Sequence, residues 1–144
     1  MKTNSVILGF AILLTVFPLN AFALEKFAWE YRLLLVFVPA DDDGSLKQQR
    51  QLLAGRDSDI KERHMRIIDI STVGHAEVDG HVDQDLETTR LRKGYNVPSD
   101  RFSVILIGKD GGEKGRWIKP VRPDKIFDMI DAMPMRQDEM QTDK

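Results

Sequence analysis

Two stretches of this chain are apolar at nearly every position. Arg32 to Val38 reads RLLLVFV and stops at Pro39, and Phe102 to Ile107 reads FSVILI. Runs this short, and this rich in Val, Ile and Phe, predict strands buried on both faces. RIIDIS, Arg66 to Ser71, and KGRWIKP, Lys114 to Pro120, mix apolar residues with charges and predict strands nearer a sheet edge.

Helical spacing fills the intervals. GSLKQQRQLLAG gives an inner face of Leu46, Leu52 and Leu53, with Asp43 or Ser45 as the cap and Gly55 as the stop. VDQDLETTRLRKG, Val82 to Gly94, opens on acids and closes on bases before glycine, which suits the helix dipole. RPDKIFDMIDAMP puts Pro123 at a first helical position and Ile126, Met129, Ile130 and Met133 at helical spacing, and Pro134 ends the run. Strand, helix, strand, helix, strand, hairpin, strand, helix is the order of a thioredoxin-like α/β fold. It predicts a central mixed sheet of about four strands, in the order second, first, third, fourth, flanked by about three helices.

The amino terminus has a different pattern. Lys2 precedes an apolar run from Val6 to Leu19, then Ala21-Phe22-Ala23, the small-x-small pattern of signal-peptidase cleavage. The run is short of the roughly 20 residues of a bilayer span, and Pro18 and Asn20 interrupt it. The chain therefore divides into a signal peptide at 1–23, a domain at 24–136, and a polar tail at 137–144 that frays. Export to the periplasm or outside the cell is expected, with no membrane attachment once the leader is gone.

Composition narrows the chemistry. At 144 residues, 42% hydrophobic, 31% charged and a formal charge of -2, the chain reads as one globular domain with no bulk attraction to nucleic acid. It has no cysteine. Disulfides, thiol catalysis and anchoring through a lipidated cysteine are all excluded.

Among the polar motifs, GKDGGEKG is the one that invites a ligand. A phosphate-binding loop needs its lysine after the glycines and a helix behind it. Here Lys109 comes first and a strand follows, so Asp110-Gly111-Gly112 reads as a hairpin turn. Lys109, Lys114, Arg116 and Lys119 leave a basic patch around it, either a solvated edge guarded by lysines or an anion site. Asp41-Asp42-Asp43-Gly44 lacks the alternation and the distal glutamate of a calcium hand. His75, Asp79, His81 and Asp83 are weak candidates for a divalent ion on what reads as a flexible loop. Of the methionines that suggest soft copper ligation, Met129, Met133, Met135 and Met140, the first two fit a packed helix face better. His64 has no partners that would recommend a hydrolytic triad. No metal or cofactor is expected.

FAWEYRLLLVFVP, LIGKDGGEKGRW and IDAMPMRQDEM together resemble a bacterial family of small exported proteins that carry domain of unknown function 4174. The resemblance spans nearly all of the chain after the leader. It implies a peroxiredoxin-like domain with a thioredoxin-like fold, related to copies in animal extracellular matrix proteins with sushi repeats and in equarin. In FVPADDDGSLKQQ, the resemblance to peroxiredoxins puts the threonine position at Asp43 and the cysteine position at Leu46, so the nucleophile is absent. Arg101 resembles the arginine that peroxiredoxins place beside that cysteine. The family's Glu-Arg-Asp after the first helix stands here as Glu62-Arg63-His64.

The resemblance singles out Arg32, Arg101, Lys109, Asp110, Lys114 and Arg136 as ligand- or partner-binding residues, with Lys109 and Lys114 as the main contacts. Arg32 and Arg136 have a structural alternative, pairing with carboxylates to fix the ends of the sheet and last helix. The reading is an exported, non-catalytic binding module for a protein or a small anionic ligand. A thiol-independent, metal-assisted enzyme and a structural or stress-related envelope protein are the alternatives.

Overall fold

The computed structural model describes residues 21–142. The expected leader lies outside the described residues except for its last three. Ala21–Leu24 forms α1 and Glu25–Phe27 a 3-10 turn, which bring Leu24 and Phe27 into the core.

β1 (Arg32–Phe37) is buried along its whole length and forms the centre of the sheet. It runs parallel to β2 (Met65–Ile70) and antiparallel to β5 (Ser103–Ile107). The two most apolar segments are thus neighbours, as continuous burial on both faces requires. β6 (Glu113–Trp117) pairs antiparallel with β5 as one edge, so the predicted order of four strands is present.

The sheet has six strands, not four, in the order β4-β3-β2-β1-β5-β6. The additional pair, β3 (His75–Val78) and β4 (His81–Glu87), lies beyond β2. This corrects two expectations. The stretch from His75 to Asp83 is a hairpin rather than a flexible loop, and the first half of the helix expected at Val82 to Gly94 is strand. Only Thr88–Gly94 is helical, as α4. Asp79 and Gly80, with φ of 48° and 82°, make the two-residue turn that matches the twist of paired strands.

α2 (Ser45–Leu53) follows β1. Gly44, not Asp43 or Ser45, holds the N-cap position, while Asp43 Oδ1 accepts from the Ser45 amide and Asp42 accepts from the Ser45 and Leu46 amides. A short α3 (Asp57–Glu62), which the sequence pattern did not predict, returns the chain to β2. α5 (Pro123–Asp131) starts on proline as expected. α5 ends before Pro134 as expected, but Pro134 opens a further helix, α6 (Pro134–Thr142), so the segment expected to fray is helical through Thr142.

Alternation along β1 divides the core. Leu33, Leu35 and Phe37 pack with Leu86 and Leu91 on one face; Leu34 and Val36 pack with Leu53, Ile126, Phe127 and Ile130 on the other. Each fully buried side chain of this kind contributes about 1.5–3 kcal/mol. Gln49 ties α2 to the chain before α5 with a paired amide contact, donating to the Val121 carbonyl at 3.1 Å and accepting from its amide at 2.8 Å. Arg92 staples the far end of the sheet, donating to the carbonyls of Val38, Ile70, Ser71 and Pro98.

Candidate functional site

Arg32 begins β1 and shares the inward direction of Leu34 and Val36, so its side chain enters the protein rather than solvent. It is only 1% exposed. A buried guanidinium requires partners, and these come from segments far apart in the chain. Arg32 Nη1 donates to the Arg63 carbonyl at 2.9 Å and to Glu139 Oε2 at 3.1 Å, and Nη2 donates to Glu139 Oε1 at 3.3 Å. Its Nε has no partner among the described residues.

Lys109 reaches the same carboxylate from the end of β5, with Nζ donating to Glu139 Oε1 at 2.6 Å. The same Nζ lies 2.8 Å from His64 Nδ1. An ammonium can only donate, so the imidazole accepts at Nδ1 and carries its proton on Nε2. The Lys109 backbone is held as well: its carbonyl accepts from the Trp29 amide at 2.7 Å, and Trp29 adopts φ of 66° to make that bond. Arg136, 2% exposed on α6, bonds to Glu62 Oε1 at 2.5 Å and to Asp131 Oδ1 at 3.3 Å. Arg63 holds Asp131 from the other side at 3.0 and 2.7 Å.

Burial alone would raise the Glu139 carboxyl, but the hydrogen bonds from Lys109 and Arg32 outweigh it and hold the group below its ordinary range. Asp131 behaves the same way: burial opposes ionisation, and Arg63 and Arg136 overcome it.

The turn after β5 completes the site. The Gly108 amide donates to the Gly112 carbonyl, the Gly111 amide donates to the Gly108 carbonyl, and Gly111 takes φ of 77°. Lys114 bonds Asp110 Oδ2 at 2.7 Å across the turn, and this bond is the main cause holding Asp110 below its usual range. The pair packs against Gly108, where a Cβ would come within 2.5 Å of Lys114 Cε. A side chain there would have to displace the Lys114–Asp110 pair. Between this turn and α5–α6 lies a cavity of about 290 Å³, lined by Arg32, Lys109, Asp110 and Lys114 on its polar side and by Met129, Met133, Pro134 and Met135 on its apolar side.

Five of the six residues singled out from sequence thus meet at one end of the sheet. Arg32 and Arg136 are paired with carboxylates, and Lys109 is 8% exposed and engaged rather than free. Arg101 does not join them; it stands exposed before β5, at the opposite end of that strand from Lys109. Leu46 lies partly buried against the core in α2, near the C-terminal end of β1. The charged cluster is therefore at the end of the sheet opposite Leu46.

Sequence reasoning missed Glu139, the carboxylate at the centre of the cluster. Its signal was available: Pro134 is favoured at a first helical position, and Arg136 and Glu139 are spaced i, i+3 on the helix it starts. Of the weak metal candidates, the two aspartates are committed elsewhere. Asp79 pairs with Arg66 and accepts from the Ile67 amide, and Asp83 pairs with Lys26. Among the described residues no three His, Asp or Glu side chains gather into a group that could hold a metal ion.

The chain is 28% identical over 120 residues to human sushi repeat-containing protein SRPX2, covering 81% of this chain and 26% of that protein. It is 24% identical over 133 residues to zebrafish (Danio rerio) coiled-coil domain-containing protein 80, covering 81% of this chain and 15% of that protein. The chain thus spans about a quarter or less of the curated relatives it matches. Among solved structures, reduced Plasmodium vivax 2-Cys peroxiredoxin superposes with a TM-score of 0.61 at 17% identity, over 80% of this chain and 72% of that one. Plasmodium yoelii thioredoxin peroxidase I gives 0.58 at 18%, over 80% and 79%. These likenesses show the α/β thioredoxin- and peroxiredoxin-like fold. Residues 23–139 match the family described as domain of unknown function (DUF4174), and the chain belongs to that family.

Proposed function

We propose that this protein is an exported, non-catalytic binding module that uses the cationic end of its sheet to hold an anionic group, either free or carried by a protein. The single observation that carries the reading is Arg32: a guanidinium 1% exposed, with an unpartnered Nε, in the wall of a cavity shared with Lys109 and Lys114. A buried donor without a partner carries a desolvation cost of about 1–3 kcal/mol, and an anion held in the cavity that Arg32 lines compensates the buried guanidinium charge. The lack of any cysteine excludes thiol chemistry and supports a non-catalytic role. Export is supported by the leader pattern and by the family match beginning at residue 23, where that pattern ends. No helix among the described residues is long and apolar enough to cross a membrane.

Melting of the purified protein with sulfate, phosphate and carboxylates tests the binding half. A bound anion should stabilise the fold by about 2.7 kcal/mol at a hundredfold excess over its dissociation constant, and Lys114→Ala should abolish most of that gain. Equal stabilisation of the variant, or none by any anion, would overturn the reading. Export is tested by the mass of the protein recovered outside the cytoplasm. A chain beginning at Leu24 supports it; the full-length chain confined to the cytoplasm contradicts it.

A further inference from the structure

The geometry points to a ligand class for this cavity, on the premise that it is the binding site proposed above: a carboxylate joined to a short apolar stem, not a phosphate or sulfate. The first argument is charge. Arg32, Lys109 and Lys114 supply three positive charges at the cavity wall; Glu139 and Asp110 already neutralise two of them. The remainder matches one monoanion. A dianionic phosphate would bring excess negative charge against Glu139 and Asp110 with no cation left to meet it.

The second argument is the donor inventory. Lys109 uses two of its three N–H groups on Glu139 and His64, and Lys114 uses one on Asp110, so the free ammonium donors at the cavity wall come from these two lysines. The donors left over suit the two oxygens of a carboxylate. They do not surround a tetrahedral anion, because the opposite wall offers none.

That wall is the third argument. Met129, Ala132, Met133, Pro134 and Met135 line it with carbon and sulfur. Any ligand held by the cations must press something against this surface. An oxyanion face placed there would be desolvated without compensation, whereas an aliphatic or aromatic stem gains from burial, and methionine adapts its shape to such a group. Met135 is itself 39% exposed, as the rim of an accessible site would be. At about 290 Å³ the cavity has room for a carboxylate with a stem the size of one side chain.

Two sources could present this chemistry, a free carboxylic acid or the C-terminal residue of a polypeptide, and both can be offered to the purified protein. The probes are hexanoate, acetyl-Ala-Leu with a free carboxylate, the same dipeptide amidated, and inorganic phosphate, read by the methyl signals of labelled methionines and by melting temperature. Hexanoate or the free dipeptide should shift the Met129 and Met133 methyls and bind at least tenfold more tightly than phosphate. The amidated dipeptide should fail, and Lys114→Ala should weaken binding about tenfold. A dipeptide tighter than hexanoate identifies a polypeptide terminus as the source, and the reverse a free acid; either result supports the shared chemistry. Phosphate binding as tightly as the carboxylates, with the methionine methyls unmoved, overturns the ligand class but leaves the anion site standing. No binding by any probe overturns both.

Discussion

Arg32 and Glu139 lie 107 positions apart and meet through two hydrogen bonds, Nη1 to Oε2 at 3.1 Å and Nη2 to Oε1 at 3.3 Å. The first strand and the last helix are thereby joined, and Lys109 adds a third segment on the same carboxylate. Glu139→Ala would leave two cations, each more than nine-tenths buried, without their shared partner. Breaking a buried pair in this way costs about 3 kcal/mol or more. Urea denaturation should show a loss of that size, while Asp138→Ala, on the exposed side of the same helix, should change stability by less than about 0.5 kcal/mol.

The same carboxylates give the fold an acid limit. Glu139 and Asp131 are held below their ordinary ranges. Groups depressed in the folded state contribute stability that is fully present above their unfolded values, about 4.3 for Glu and 3.9 for Asp. It is lost as pH falls through the lower folded values. Unfolding free energy measured from pH 5 to pH 2 should therefore decline, and Glu139→Gln should decline less steeply over the same interval. A stability independent of pH in that range would show that the cluster is not ionised as described.

At the opposite end of the sheet, Arg92 is 5% exposed and bonds four backbone carbonyls, with no carboxylate among these partners. Burial alone pulls its pKa down. A lysine ammonium has three donors and lacks the planar fork, so it cannot reach the carbonyls of Val38, Ile70, Ser71 and Pro98 together. Arg92→Lys should cost about 3 kcal/mol. The same exchange at exposed Arg90 should be nearly silent, and comparison of the two melting temperatures checks this.

The turn between β3 and β4 is as specific. Gly80 sits at φ of 82° in open space, with nothing near the position a Cβ would take. Gly80→Ala should therefore cost about 1–2 kcal/mol from backbone strain alone, with no change in the core. Denaturation midpoints check the size, and a neutral result would mean the turn can relax to another type.

How much of this was legible depended on whether the signal was local. β1 and β5 were clear because burial on both faces leaves no polar position to confuse the period, and α5 because Pro123 and the spacing of Ile126, Met129 and Ile130 agree. β4 was misread because Asp83, Asp85 and Glu87 at its exposed edge resemble an acidic helix start; the Asp79-Gly80 pair before it was the stronger signal. Arg32, Lys109 and Arg136 were identified as a set, but their convergence was not readable. It depends on Glu139, Glu62 and Asp131, brought together by the crossing of strand ends and two helices. No local pattern records such a meeting.

Asp69 makes the least intuitive prediction. It lies in register between Val36 of β1 and Glu77 of β3, facing α2. Arg50 bonds its Oδ2 at 2.5 Å, while Oδ1 is buried with no partner among the described residues. Burial raises this carboxyl, and Arg50 only partly offsets it, so the folded value stays above the ordinary one. An acid raised in this way favours the folded state when protonated, and it penalises folding as pH rises from the unfolded value of about 3.9 through the folded one. Asp69→Asn removes that penalty. Arg50, whose side chain is 56% exposed, keeps its hydration and its neighbour Glu77 at 3.7 Å, so losing the pair costs it little. The variant should therefore be more stable than the natural protein at pH 7, and the difference should close as pH approaches 4. Urea midpoints at the two pH values decide it: a variant less stable at both would show that the Arg50 pair outweighs the burial of Asp69.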